Sequence, residues 1–88
     1  MKHRRQDLAG EIANRREIIR THRNQLVRRD LGRMLRHADA LWAALDRELV
    51  VSRRLGHYTA RYSSIEQDLE QQLRSIGRYL VYAHLRFD

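Results

Sequence analysis

Cysteine is absent from this chain, so neither disulfides nor thiolate zinc sites can staple it. Proline is absent too, and glycine occurs only at Gly10, Gly32, Gly56 and Gly77. A proline inside a helix costs about 3 kcal/mol, so its absence leaves long helices uninterrupted. Long apolar runs are also missing. The stretch 41–45 is far short of the roughly 20 residues that cross a bilayer, which predicts a soluble chain with no membrane span. The first seven residues are basic but lead into an alternation of polar and apolar residues rather than a signal-peptide core, so a cytoplasmic location is expected.

With 88 residues, a single domain buries only about 60–65% of its unfolded surface and has a thin stability margin. The five histidines, His3, His22, His37, His57 and His84, are too scattered to hold a metal between them. No metal or cofactor is expected. Oligomerisation is the remaining way to reinforce so small a core, and a homodimer is expected.

What is present in excess is positive charge. The chain carries a net +7, and the first 37 residues hold eleven basic residues against four acids. From Ala38 onward seven arginines meet seven acids. Lysine occurs once against seventeen arginines, a ratio that a GC-rich genome produces without any demand for phosphate binding. Codon usage does not account for the uneven placing of the acids, and a lopsided field of this kind attracts a polyanion to one part of the surface.

Apolar spacing predicts an all-α fold. Tyr62, Ile65, Leu69, Leu73, Ile76, Leu80, Ala83 and Phe87 recur every three or four residues, which predicts a helix over about 64–86 with Ser63 as its cap and Glu66 completing a capping box. A second stripe, Leu31, Leu35, Ala38, Trp42, Leu45 and Leu49, has the spacing of a bundle seam, with Trp42 as a core anchor. Between them the period lapses over 53–60, where Gly56 is placed to end one helix in the turn of a hairpin. A weaker stripe, Leu8, Ile12, Ile19 and Leu26, runs through 7–29, with Arg15 and His22 interrupting it. It is out of phase with the stripe from Leu31 by about 100°, more than supercoil drift provides. Either the helix breaks near 29–32 with Asp30 as a new cap, or one long helix uses two faces. A lone glycine is a weak breaker, which favours the long helix.

A helix over 64–86 is about 35 Å long and, folded back, covers its neighbour only to about Leu31. The expected organisation is therefore a basic helical arm over 1–30 and a helical hairpin over 31–88, dimerising into a bundle. Isolated helices are marginal in water, so the arm must be ordered by folding back as a third helix, by a second copy or by a ligand.

On the arm, Arg16, Arg20 and Arg23 share one helix face, and Arg29, Arg33 and Arg36 share another. With Arg15 and Arg28 they form the candidate phosphate-contacting set for DNA or RNA. Base reading by Asn14, Asn24 and Gln25 and a helix-turn-helix around 29–32 have little beyond residue type in their favour. At the other end, residues 79–85 are apolar nearly all round, and Tyr79, Tyr82 and Leu85 form a candidate interaction surface. An acidic protein docked on the basic arm is the alternative partner, and an anionic membrane surface the third. Catalysis is not expected. No histidine pair has the i, i+4 spacing of a helical metal site, and Ser52, Ser63, Ser64 and Ser75 lack a nearby His–acid arrangement.

Overall fold

Two polar caps decide where the chain turns. The computed structural model describes residues 2–87, with side chains from Arg4 to Arg86, as three helices: α1 (Lys2–Thr21), α2 (Gln25–Leu55) and α3 (Ala60–Phe87). No strand occurs among the described residues.

The long continuous helix favoured by the sequence is not formed, nor is the break near 29–32. The chain turns at 22–24, and Asp30 and Gly32 lie inside α2. Asn24 adopts an extended conformation (φ −82°, ψ 118°), and its side-chain oxygen accepts from the amides of Leu26 (2.9 Å) and Val27 (3.2 Å). Asparagine is among the strongest N-caps because it satisfies amides that the first helical turn leaves unpaired. His22 accepts from the Asn24 amide through Nδ1 at 3.1 Å, and Arg28 reaches back to the carbonyls of His22 and Arg23. Restarting the helix at Asn24 resets its phase. Val27 rather than Leu26 now precedes Leu31 by one turn: Val27 is fully buried, whereas Leu26 is 64% exposed.

At the second turn Gly56 has φ 79°, a left-handed conformation that costs a side-chain-bearing residue about 1–2 kcal/mol. The amides of Gly56 and His57 return to the carbonyls of Arg53 and Ser52 and close α2. Four residues later α3 starts at Ala60, earlier than the expected 64, because Thr59 rather than Ser63 caps it. The Thr59 hydroxyl accepts from the Tyr62 amide at 3.0 Å and donates to Glu48 at 2.8 Å, and the Thr59 amide donates to Ser52 Oγ at 3.2 Å. That cap is tied to α2 as well as to α3.

α2 and α3 run antiparallel. Away from the turn they are joined by Gln72 Nε2 donating to the Met34 carbonyl (3.0 Å) and by the Tyr79 hydroxyl donating to Asp30 (2.8 Å). The expected seams supply the core: Leu31, Leu35, Ala38 and Leu45 from α2, and Tyr62, Leu69, Leu73, Ile76 and Ala83 from α3, are buried. Trp42, Leu49, Ile65 and Leu80 are partly buried against them. The Phe87 side chain lies outside the described residues.

The arm does not project. α1 folds back along α2 and α3, burying Leu8, Ile12 and Ile19. Full burial of a side chain of that size is worth about 1.5–3 kcal/mol, so these three give α1 the packing that its narrow stripe did not promise. The result is a three-helix rod of 49 × 17 × 16 Å.

The re-phased α2 sets apart two leucines five residues apart. Leu31→Ala is expected to lower unfolding free energy by about 2–5 kcal/mol, and Leu26→Ala to change it by less than about 0.5 kcal/mol. Urea denaturation measures both.

Candidate nucleic-acid interface

The arginines singled out by the sequence divide into those the fold uses and those it leaves facing solvent. Arg16 donates to Asp39 of α2 at 2.7 Å, and Arg20 to Glu17 on its own helix at 2.6 Å. Arg23 falls in the turn, so the ridge through 16, 20 and 23 is not a continuous helical face. Arg15 is half-buried where α1 passes Gly77 of α3, and Arg28 is engaged with turn carbonyls. Arg33 pairs with Asp30 at 2.7 Å. Arg29 and Arg36 are exposed on α2, and neither has a hydrogen bond or ion pair among the described residues.

α1 uses its charge to bind the other helices. Arg4 bonds to Glu70 of α3 at 2.7 Å, Arg5 pairs with Asp46 of α2, and Arg16 pairs with Asp39. Arg5 also lies 4.5 Å from the centroid of the Trp42 ring, a cation–π contact that seats the start of α1 on α2. The Arg4 guanidinium is pushed above its ordinary value by the hydrogen bond to Glu70, and the Glu17 carboxyl is held below its own by the bond from Arg20. These are exposed pairs, so each contributes little alone and weakens with salt.

The consequence appears on α2. All four of its acids turn toward a neighbouring helix: Asp39 and Asp46 to α1, Asp30 to Tyr79 of α3, and Glu48 to Thr59 and Arg61. The face pointing away from the bundle is reached by one acid, Asp30, whose second oxygen pairs with Arg33 at its border. Arg29, Arg33, Arg36, Arg47 and Arg54 all lie there, exposed, within about 60° of one another on a helix of 3.6 residues per turn. Ala40, Ala43 and Val50 lie between them. From Arg29 to Arg54 the face is about 38 Å long. Arg47 and Arg54 come from the half of the chain whose charges balance, which is why charge counting passed over them. The signal was the spacing: 33, 40, 47 and 54 are seven apart, as are 29, 36, 43 and 50.

The apolar end of α3 is divided in the same way. Tyr82 and Leu85 are exposed, at 51% and 79%, together with Val81, whereas Tyr79 is half-buried. The rings of Tyr79 and Tyr82 are 5.9 Å apart and tilted. Leu26 is exposed at the start of α2, the end that Tyr79 and Asp30 join to α3.

The Tyr79 hydroxyl holds the Asp30 carboxyl below the usual carboxylate range, with the Arg33 bond adding to the effect. The same hydrogen bond, followed by desolvation, raises the Tyr79 phenol above its ordinary value. Asp30 therefore contributes stability above its unfolded value, and the contribution is lost as pH falls through the lowered folded one. Tyr79 contributes below its unfolded value and loses the contribution as pH rises through the raised one. Both contributions are intact at neutral pH.

Among the described residues no group of His, Asp or Glu is placed to hold a metal ion, and no helix is long and apolar enough to cross a membrane. The chain matches no family model, no curated protein and no solved structure.

Replacing Tyr79→Phe removes the donor to Asp30 while keeping the ring. The Asp30 carboxyl, followed by its NMR chemical shift against pH, is expected to titrate at a higher pH in the variant. An unchanged midpoint contradicts the assigned bond.

Proposed function

We propose that the protein is a non-enzymatic accessory nucleic-acid-binding protein whose contact surface is the outer face of α2. The observation that carries the reading is the sorting of charge on that helix: its acids are engaged by α1, α3 and the Thr59 cap, and five arginines, of which Arg33 alone among the described residues is paired with an acid, lie outward along about 38 Å. A solvated face kept soluble by charge mixes both signs, whereas a phosphate-binding face excludes acids. Its length is close to one turn of a duplex, about 34–36 Å. Arginine is always charged and can pair bidentately with a phosphate. No base-reading set accompanies the arginines, so binding is to the phosphate backbone and largely independent of sequence.

Self-association belongs to the same reading. Leu26, Val81, Tyr82 and Leu85 are exposed, and apolar residues gathered at one end of a small helical protein favour a contact with a second copy. A dimer doubles the number of arginines that one nucleic acid can meet. An adaptor docking on an acidic protein would use the same two surfaces.

Binding to duplex DNA and to structured RNA is expected to weaken linearly in log–log form with salt concentration. Arg29→Gln, Arg36→Gln, Arg47→Gln and Arg54→Gln together should flatten that slope by about one unit for each phosphate no longer neutralised. Arg16→Gln, which removes a cation already paired with Asp39, should leave it unchanged. No binding at about 50 mM salt, or an unaltered slope in the fourfold variant, overturns the reading and favours the adaptor.

Association is tested separately. Val81→Ser with Leu85→Ser is expected to convert a dimer to a monomer in light scattering while the helical circular dichroism is kept.

A further inference from the structure

The turn that joins α2 to α3 closes one end of the rod over a cavity of about 670 Å³, which the start of α1 also lines. That volume is within the range of small-molecule sites, about 300–1,000 Å³. Its chemistry is specific. Tyr58 and Tyr62 stack beside it with centroids 4.7 Å apart and ring planes 29° from parallel. Tyr62 is buried and fixed by the core, while Tyr58 is 42% exposed and carries a free ring surface. Arg53, His57 and Gln6 line the same space, and no acid does.

Each group has a definite capacity. His57 Nδ1 is 3.2 Å from the Tyr58 carbonyl. A carbonyl only accepts, so Nδ1 carries the proton and Nε2 is left to accept from a ligand hydroxyl or amine. Arg53 makes no ion pair among the described residues, in contrast to Arg5, which also lines the cavity and is held by Asp46 and Trp42. Gln6 is exposed on the rim and offers both a donor and an acceptor in one amide, the pattern that meets a base edge. The hydroxyl of buried Ser52 accepts from the Thr59 amide and keeps its own proton to donate. A stacking ring, an unpaired guanidinium, an imidazole and an amide converge, in an acid-free space, on a ligand with a planar ring and an anionic group.

We infer that this cavity binds a single nucleotide, its base stacked on Tyr58, its phosphate held by Arg53 and a sugar hydroxyl donating to His57 Nε2. The choice of a nucleotide among aromatic anions rests on the nucleic-acid reading of α2. Arg54, the last arginine of that outer face, is the sequence neighbour of Arg53, so the basic track ends in the helical turn that also supplies the cavity's guanidinium. Two sources supply such a ligand: a free mononucleotide, or an unpaired nucleotide at the end of a strand lying along α2.

The full chain is titrated with adenosine 5′-monophosphate, with adenosine and with inorganic phosphate, followed by backbone amide NMR. The monophosphate is expected to shift the amides of Gly56, His57 and Tyr58 and to bind at least tenfold more tightly than adenosine or phosphate. Tyr58→Ala and Arg53→Gln should each weaken it tenfold or more, while Tyr58→Phe, which keeps the ring, should bind as the parent does. A second arm compares a blunt duplex with the same duplex bearing a one-nucleotide overhang. If the overhang tightens binding and Tyr58→Ala abolishes only that gain, the strand is the source; if the monophosphate binds and the overhang adds nothing, the free nucleotide is. If the monophosphate shifts none of these amides and the overhang gives no gain, the proposal is overturned. Blunt-duplex binding is independent of the cavity, so failure there counts against the α2 reading alone.

Discussion

Everything distinctive about this surface depends on α1 lying down on the other two helices. Leu8, Ile12 and Ile19 are buried in the process, but the electrostatic effect is larger in reach than the packing. By pairing Arg4 with Glu70, Arg5 with Asp46 and Arg16 with Asp39, α1 occupies acids that α2 and α3 would otherwise present to solvent. The pairing draws acids out of helices that are themselves net basic: α2 holds seven arginines against four acids and α3 four against three. Charge that is concentrated in the N-terminal part of the sequence is thereby displaced in space, and the surplus surfaces on the outer side of α2.

The hairpin seams were legible because three- and four-residue spacing reports which face of a helix is buried, and Leu31, Leu45, Leu69, Leu73 and Ile76 are all buried as that spacing requires. The ends of the helices were less so. Periodicity carries no information about a helix terminus; a cap does, and a cap is one polar side chain that competes with others nearby. Ser63 has the sequence form of a capping box, yet Thr59 wins because its hydroxyl also reaches Glu48 and its amide reaches Ser52. Asp30 was the acid nearest the phase change, but it is taken by Tyr79, from 49 positions away along the chain. Asn24 offers the sequence only its residue type, that of a base reader; its role as a cap lies in the two amides its side chain accepts from.

The candidate interface shows a sharper division. Residue type and helical spacing were enough to find Arg29, Arg33 and Arg36 on a common outward face. They were not enough to discard Arg15, Arg16, Arg20 and Arg28: the fold-back brings Arg16 to Asp39 and Arg15 against α3, while Arg20 is taken by Glu17 on its own helix and Arg28 by carbonyls of a turn the periodicity did not place. Nor did a regional sum of charge find Arg47 and Arg54, whose local acids, Asp46 and Glu48, point to the sides of α2 and leave them uncompensated. Charge matters here by direction, and direction is set by tertiary pairing.

The ion pairs that fasten α1 have a consequence for the order in which the rod comes apart. α1 buries three large side chains, fewer than either partner, and its cross-helix contacts are exposed charges, so it is the least tightly held of the three helices and the one that opens at lowest cost. When it lifts away, Asp39, Asp46 and Glu70 return to solvent beside the hairpin while their arginine partners leave with α1. The closed rod presents a cationic edge; in the opened one the hairpin, residues 25–88, still holds eleven arginines against eight acids, with three of those acids newly freed, and it trails a cationic strand. The same residues thus define two electrostatic states, and anything that binds the closed edge also holds α1 in place.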